Sequence, residues 1–225
     1  MRLDRGLLVT GTDTGVGKTV VTAALAAALA EGGVSVRALK PVASGVAEGH
    51  PGEDAALIGA AAGHAPLSLL RFRTPVSPHR AAVLEGVDVD PAAILAWVHA
   101  NAGDVTLVEG AGGWEVPFAA DWRVSHLGVA LGWPVLVVAA DRLGVLNHTL
   151  LTVAAVQRAG LAVAAVVLTG PVEGNLPDSG DMNNHADLVR LLDGVAIRRM
   201  PWLASLDRAS LAEAGRALLR GDGGC

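Results

Sequence analysis

Short apolar runs alternate with helix-forming segments along this chain, and the alternation limits the folds open to it. The apolar runs cover residues 7–10, 34–39, 105–108, 135–139 and 163–168. The helix-forming segments include residues 19–30, 91–100 and 147–159. Strands that are apolar at nearly every position are typical of parallel sheets with both faces covered. The sequence therefore predicts an α/β fold of three layers, in which a doubly wound, mostly parallel sheet lies between helices.

Composition excludes several classes of protein. With 225 residues, the chain is predicted to form one domain over residues 1–225. Lys and Arg number 17 against 22 Asp and Glu, and this net charge of −5 argues against a nucleic-acid-binding surface. No apolar run approaches the roughly 20 residues of a membrane span, so no membrane partner is expected. Cys225 is the one cysteine, which excludes an intramolecular disulfide and favours a reducing, cytoplasmic setting.

A glycine-rich segment, GTDTGVGKT at residues 11–19, separates the first predicted strand from the first predicted helix. Glycines let backbone N–H groups converge on phosphate oxygens, and the start of a helix adds the positive end of its dipole. In such a loop Lys18 would reach the β and γ phosphates, and the Thr19 hydroxyl would bind Mg²⁺. Five residues instead of four separate Gly11 from Gly17, but the context still predicts a P-loop NTPase-like phosphate site.

Two further charged residues follow predicted strands, at the edge where parallel sheets bind ligands. Lys40 ends the second strand, where a cation can stabilise charge that develops in a transition state. Glu109 ends the third, and with Asp54 it is a candidate ligand for Mg²⁺, which needs only one or two carboxylates beside phosphate oxygens. A solvated strand-end lysine, a turn carboxylate at Glu109 and a helix-terminal charge at Asp54 are the alternatives.

Five segments, taken in order, resemble the dethiobiotin synthetase family. They are residues 11–19, Lys40-Pro41-Val42-Ala43-Ser44-Gly45, Ser77-Pro78-His79, Glu109-Gly110-Ala111-Gly112-Gly113-Trp114, and Leu143-Gly144 with Asn147-His148. The match spans nearly the whole chain. The phosphate loop is common to a superfamily, whereas residues 40–45 and 109–114 are specific to this family.

The resemblance implies an ATP-dependent cyclo-ligase that forms carbon–nitrogen bonds in biotin synthesis. One amine of 7,8-diaminononanoate takes up CO₂ as a carbamate, and ATP phosphorylates that carbamate to a carbamic-phosphoric anhydride. The second amine then closes the cyclic urea of dethiobiotin, and ADP and phosphate are released. The resemblance also implies a homodimer.

The resemblance assigns residues to each role. It implies that Lys40 and Lys18 are catalytic and that Thr19, Asp54 and Glu109 hold Mg²⁺. The implied ATP-binding residues are Gly15, Val16, Gly17, Lys18, Thr19, Val20, Asp54, Glu109, Gly110, Ala111, Gly112, Thr169, Gly170, Pro201, Trp202 and Leu203. Ser44 is implied to bind the substrate, together with Gly144, Val145, Leu146 and Asn147 of a partner subunit. His79 and His148 are expected to have structural roles.

Thr169-Gly170 departs from the family pattern, because some relatives carry there an Asn-Asp pair that contacts the base. This departure leaves open how strictly the site selects ATP over other nucleoside triphosphates.

The competing hypothesis is an ATPase switch of the partitioning and division-site type, which dimerises to bind partners. Those relatives have an additional Lys where this chain has Asp13, and often a membrane or DNA surface that an acidic chain lacks. A third hypothesis is an amide-forming relative that acts on a corrinoid carboxylate. Such enzymes usually carry a glutaminase domain, for which 225 residues leave no room.

Overall fold

Six parallel strands form the central sheet in the computed structural model, which describes residues 5–170 and 183–220. They are β1 (Gly6–Gly11), β2 (Val36–Leu39), β5 (Val105–Gly113), β8 (Val135–Ala140), β9 (Val163–Thr169) and β10 (Ile197–Met200). Their order in the sheet is β10-β9-β8-β1-β5-β2. This arrangement confirms the predicted parallel sheet and puts β1, with the phosphate loop after it, between β8 and β5. Cys225 lies outside the described residues.

Helices cover both faces of the sheet, as predicted. Within the described residues they are α1 (Lys18–Glu31), α2 (Glu53–Ala62), α3 (Pro78–Glu85), α4 (Pro91–Ala100), α5 (Val124–Leu131), α6 (Val145–Arg158), α7 (Asn184–Leu191) and α8 (Arg208–Arg220). Leu7 and Val9 of β1 pack in one hydrophobic cluster with α1, α2 and α8. Leu8, between them, packs in a second cluster with α3, α4, α5 and α6. Successive strand residues point to opposite faces, so both faces of β1 are buried.

Two small sheets lie beside the central one, and no strand was predicted for either. Strands β3 (Val42–Ser44) and β4 (Leu70–Phe72) pair in parallel. Strands β6 (Pro117–Ala119) and β7 (Trp122–Arg123) pair antiparallel. These strands are only two or three residues long, too short for a period-2 pattern to show in the sequence.

Strand β5 is longer than predicted. The apolar run ends at Val108, but the strand continues to Gly113, which pairs with Gly11 of β1. A Cβ atom at Gly113 would lie 3.3 Å from the Gly11 carbonyl oxygen, so the glycine lets the two strands approach closely. Glu109 therefore lies within a strand, and the prediction that it ends the third strand is wrong.

Most predicted helix bounds agree closely with the structure. Helix α4 matches its predicted range, with Asp90 as its N-cap and Pro91 as its first residue. Helix α6 begins at Val145, two residues before the predicted start at Asn147, because Gly144 serves as its N-cap in the left-handed conformation. In the described part of the chain, no helix has the length and apolar character needed to cross a bilayer.

Candidate active site

The phosphate loop joins β1 to α1, and its glycines have backbone conformations that other residues rarely adopt. Gly15 and Gly17 have φ values of 73° and 85°. A Cβ atom at Gly17 would also lie 2.9 Å from Cγ2 of Thr169. No side chain caps α1, and no acidic residue lies in its first turn. The backbone N–H groups at this helix start are therefore available to an anion.

Lys18 is the first residue of α1 and is 6% exposed. Its Nζ donates a hydrogen bond to the Asp13 carbonyl oxygen at 2.9 Å, across the loop. Burial and, after it, the nearby charge of Lys40 lower the pKa of Lys18 to about 8, although the carboxylates of Glu109 and Asp54 oppose both effects. The ammonium of Lys18 is therefore easier to deprotonate than that of an ordinary lysine.

Lys40 follows β2 and is bound by two carboxylates. Its Nζ lies 2.6 Å from Oε1 of Glu109 and 2.8 Å from Oδ2 of Asp54, and it donates to the Gly110 carbonyl oxygen at 3.2 Å. Burial acts to lower the pKa of Lys40, but the two carboxylates outweigh it and raise this pKa above its ordinary value. For Asp54, burial acts to raise the pKa, and Lys40 outweighs that effect and lowers it. Lys40 and Asp54 therefore keep their charges, although Lys40 is buried.

The three residues predicted to hold a metal come together from α1, α2 and β5. Thr19 Oγ1 lies 2.9 Å from both Oδ1 of Asp54 and Oε1 of Glu109. Oε2 of Glu109 is buried and has no hydrogen-bond partner in the structure. A buried carboxylate oxygen without a partner is costly, so it indicates that a cation or donor belongs beside it. Oxygen donors of this kind fit Mg²⁺.

The cluster provides few protein ligands for a metal. Within residues 5–170 and 183–220, no group of three or more His, Cys, Asp or Glu side chains could hold a metal ion. Two carboxylates and a hydroxyl leave coordination positions for water and phosphate, which is typical of Mg²⁺ bound with a nucleotide and not of a closed structural site.

A cavity of about 740 Å³ opens over this cluster. The predicted site residues in its wall are Gly15, Gly17, Lys18, Thr19, Val20, Lys40, Ser44, Asp54, Glu109, Ala111 and Gly112. The wall also contains Thr14, Ala43, Pro75, Val76, Ser77, Pro78 and Val116, which were not predicted as site residues. The sequence did hold a signal for Ser77 and Pro78, since they belong to the Ser77-Pro78-His79 segment that resembles the family.

The other predicted site residues lie outside this wall. They are Val16, Gly110, Thr169, Gly170, Pro201, Trp202, Leu203, Gly144, Val145, Leu146 and Asn147. Gly144 to Asn147 form the start of α6, next to Leu143, which is 87% exposed. Residues 201–203 follow β10 and include Trp202, which is 56% exposed. These segments follow β8 and β10, at the same edge of the sheet as the phosphate loop.

Thr169 ends β9 and contacts the phosphate loop. Its Oγ1 donates a hydrogen bond to the Val16 carbonyl oxygen at 2.9 Å and lies 3.3 Å from the Ala139 carbonyl oxygen, a second possible acceptor. The hydroxyl is therefore used within the protein, and Gly170 adds no side chain. At these two positions the chain offers no side-chain amide to a base.

Comparison with known proteins identifies the family. A family model described as an AAA domain matches residues 5–210. The ATP-dependent dethiobiotin synthetase BioD of Anaeromyxobacter sp. (strain K) is 42% identical over 211 residues, which cover 91% of this chain and 93% of that protein. The chain belongs to the dethiobiotin synthetase family. A second relative, the ATP-dependent dethiobiotin synthetase BioD of Bacillus subtilis (strain 168), is 36% identical over 214 residues and covers 92% of this chain.

Membership of the dethiobiotin synthetase family confirms the resemblance based on residues 40–45 and 109–114. In the structure these two segments meet, since Lys40 contacts both Glu109 and Gly110. Among solved structures, the MinC:MinD cell division protein complex of Aquifex aeolicus covers 96% of this chain with a TM-score of 0.60 and 15% identity. That likeness concerns the fold alone, and it confirms the predicted P-loop NTPase-like architecture.

Proposed function

We propose that this chain is an ATP-dependent dethiobiotin synthetase, a cyclo-ligase that converts 7,8-diaminononanoate and CO₂ to dethiobiotin with release of ADP and phosphate. It acts as one catalytic domain over residues 1–225 and as a cytoplasmic homodimer. The observation that carries the proposal is the position of Lys40, a buried cation held by Asp54 and Glu109 in the wall of the cavity that the phosphate loop also lines.

The reaction needs cations because a carbamate and a triphosphate repel each other. Lys18 binds the β and γ phosphates, and Lys40 lies between the γ phosphate and the carbamate. A carbamate oxygen attacks the γ phosphorus, and the bond to the leaving ADP breaks. The second amine then attacks the carbamate carbon, and phosphate leaves with the electron pair of the broken C–O bond. Such catalysis depends on positioning and charge stabilisation.

Thr19, Asp54 and Glu109 hold Mg²⁺, which neutralises part of the phosphate charge when bound. Two observations support this assignment. Oε2 of Glu109 is buried without a hydrogen-bond partner, and Thr19 contacts both carboxylates. Lys40 is suited to the space between two anions because an ammonium is a compact point charge, whereas a guanidinium is a planar fork.

Recognition of the diamine involves Ser44 and the start of α6 in a partner subunit. Ser44 supports this proposal because it lines the same cavity as Lys40. Gly144 to Asn147 bind the substrate carboxylate through backbone N–H groups, as helix N-termini do. ATP is bound by the phosphate loop with residues 109–112, 169–170 and 201–203.

The family relationship favours the synthetase over a partner-binding ATPase switch. The BioD relatives share 36% to 42% identity over about nine-tenths of the chain. The MinC:MinD complex shares only 15% and supports a common fold without a common function.

Phosphate release, measured with ATP, Mg²⁺, bicarbonate and diaminononanoate, tests this proposal. We expect release that requires the diamine and equals the amount of dethiobiotin found by mass spectrometry. The Lys40→Arg variant is expected to retain nucleotide binding but to lose most of its turnover, because the larger guanidinium does not fit between carbamate and γ phosphate. Phosphate release at the same rate without the diamine would contradict the synthetase and favour the switch.

A further inference from the structure

Ser77 and His79 form a hydrogen-bonded pair beside the cavity, and the reaction described above uses neither of them. Ser77 Oγ lies 3.1 Å from Nδ1 of His79. Ser77 lines the same cavity as Lys40 and Ser44, whereas His79 is not part of the wall. Both side chains are half-buried. The imidazole can therefore reach the cavity through the Ser77 hydroxyl.

The Ser77 hydroxyl is not used to cap its helix. Ser77 is the N-cap residue of α3, where a serine normally accepts a hydrogen bond from a backbone N–H of the first turn. No such bond is present, and the hydroxyl contacts the ring of His79 instead. Pro78, the first residue of the helix, is buried and sets the helix start without a capping side chain. The hydroxyl is therefore free to serve the cavity.

Ring closure needs a proton acceptor. When the second amine attacks the carbamate carbon, its nitrogen keeps a proton that must leave for a neutral urea to form. The other titratable side chains in the described wall are Lys18, Lys40, Asp54 and Glu109. Both carboxylates are bound to Lys40, and the two lysines are needed as cations. Of the described protein groups at this cavity, Ser77 with its hydrogen-bond partner His79 is the pair left to accept the proton.

We propose that His79, acting through Ser77, accepts the proton of the amine that closes the ring; this rests on the proposed function. The amine nitrogen forms the new C–N bond, and the C–O bond to the phosphate breaks with its electron pair leaving on phosphate. The amine proton passes to Ser77 Oγ while the Ser77 proton passes to Nδ1 of His79. The imidazolium afterwards releases that proton to water. This relay requires neutral His79 with its ring proton on Nε2.

Few charged groups lie on the elements around His79. Helix α3 itself carries Arg80 and Glu85, and β4, which packs against it, carries Arg71. Strands β3 and β6, which also pack against α3, contain no titratable side chain. Glu85 accepts hydrogen bonds from the backbone N–H and hydroxyl of Thr74, both at 2.8 Å. Ser77 is thus the side-chain partner that the structure gives the ring.

Rapid-quench measurement of ADP and dethiobiotin tests the relay in the H79N and S77A variants. Asn can keep a hydrogen bond to Ser77 but does not titrate in this range. We expect one equivalent of ADP to form at the wild-type rate, because phosphorylation precedes ring closure. Dethiobiotin formation should then be slower by about 10²-fold, which is typical for loss of a general base. The H79N/S77A double variant should be no slower than either single variant, since the pair acts as a unit.

The pH profile separates a proton acceptor from a structural residue. A proton acceptor stops working once it is protonated, so wild-type ring closure should slow toward acid pH, and this acid limb should be absent in H79N. Arg80→Gln, an exposed change on the same helix, serves as the matched control and should leave both steps unchanged. A misfolded variant would lose the ADP burst as well as ring closure. If H79N misfolds, the S77A variant tests the same relay by removing the hydroxyl instead of the imidazole.

The outcomes are distinguishable. Ring closure in both H79N and S77A at the wild-type rate, with the acid limb retained in H79N, would overturn the relay. Equal loss of ADP formation and ring closure in both H79N and S77A would also overturn it, since the pair would then be structural. A wild-type protein that makes no dethiobiotin at all would instead refute the proposed function.

Discussion

At the scale of single residues, the two lysines of the site lie in electrostatic environments that shift their pKa values in opposite directions. Lys40 has two carboxylates within hydrogen-bond distance, and they raise its pKa in spite of burial. Lys18 donates to a neutral backbone carbonyl, so burial and the charge of Lys40 dominate and its pKa falls to about 8. The two lysines are buried to a similar extent. The difference between their pKa values therefore comes from which charged or neutral groups lie nearest to each ammonium.

This difference predicts how nucleotide affinity depends on pH. Free Lys18 loses its proton as the pH rises through about 8, while bound phosphates favour its charged form. The affinity for the nucleotide should therefore be highest below pH 8. Above pH 8 it should fall, by up to about tenfold per pH unit. Calorimetric titration with a non-hydrolysable ATP analogue between pH 7 and 9.5 measures this pH dependence of the affinity.

The Lys18→Met variant provides the control for that titration. It should bind the analogue weakly and with little change between pH 7 and 9.5, because the titrating group is gone. Lys40 should not contribute to the slope, since its pKa is raised and it stays charged. A wild-type affinity that does not change over this range would contradict the assignment of Lys18.

At the scale of elements, the packing of α8 on α1 supports the helix that begins at the phosphate loop. Helix α1 is rich in alanine and buried over most of its length, including residues 21–28. Gly215 of α8 lies against it so closely that a Cβ atom would fall 1.9 Å from the Ala24 carbonyl oxygen. Small residues on both helices thus allow their backbones to approach.

The Gly215→Ala substitution tests this contact. In an exposed helix the change would stabilise by about 1 kcal/mol, but here the methyl group meets the backbone of α1. We expect the free energy of unfolding to fall by about 1–3 kcal/mol, as for other overpacked sites. Glu213→Ala on the exposed side of α8 is the control, with a change within about 0.5 kcal/mol. Urea denaturation measures both, and a more stable Gly215→Ala variant would contradict the packing.

At the scale of the whole molecule, the proposed homodimer predicts that each active site contains residues from two subunits. In the proposed site, Lys40 would come from one subunit, and Gly144 to Asn147 would come from the other. Asn147 is exposed in the first turn of α6. An Asn147→Asp change should preserve the helix, because an acidic residue suits its N-terminus, but should repel the substrate carboxylate.

Mixing two inactive variants tests this shared site. Lys40→Met and Asn147→Asp dimers should each have little activity alone. After subunit exchange, about a quarter of the wild-type activity should return, since half of the dimers are mixed and each has one intact site. If mixed dimers form, as native mass spectrometry can show, but activity does not return, the site is contained within one subunit.

Some of the site could be predicted from the sequence because the relevant physics is local. A strand, a glycine loop and a helix start over residues 11–19 identify a phosphate site without knowledge of the rest of the chain. Lys40 follows from a general property of parallel sheets, whose strands end at one edge. Glu109 was predicted on the same ground, although its strand continues to Gly113. Asp90-Pro91 marks the start of α4 through capping alone. These features depend on residues only a few positions apart.

The tertiary structure alone decided the contacts between distant residues. Lys40 meets Glu109, 69 residues away in sequence, and Thr19 meets Asp54, 35 residues away. The continuation of β5 to Gly113 also depends on a long-range contact, its pairing with β1. No local pattern specifies such contacts, because they arise only when distant segments pack and lose conformational freedom together.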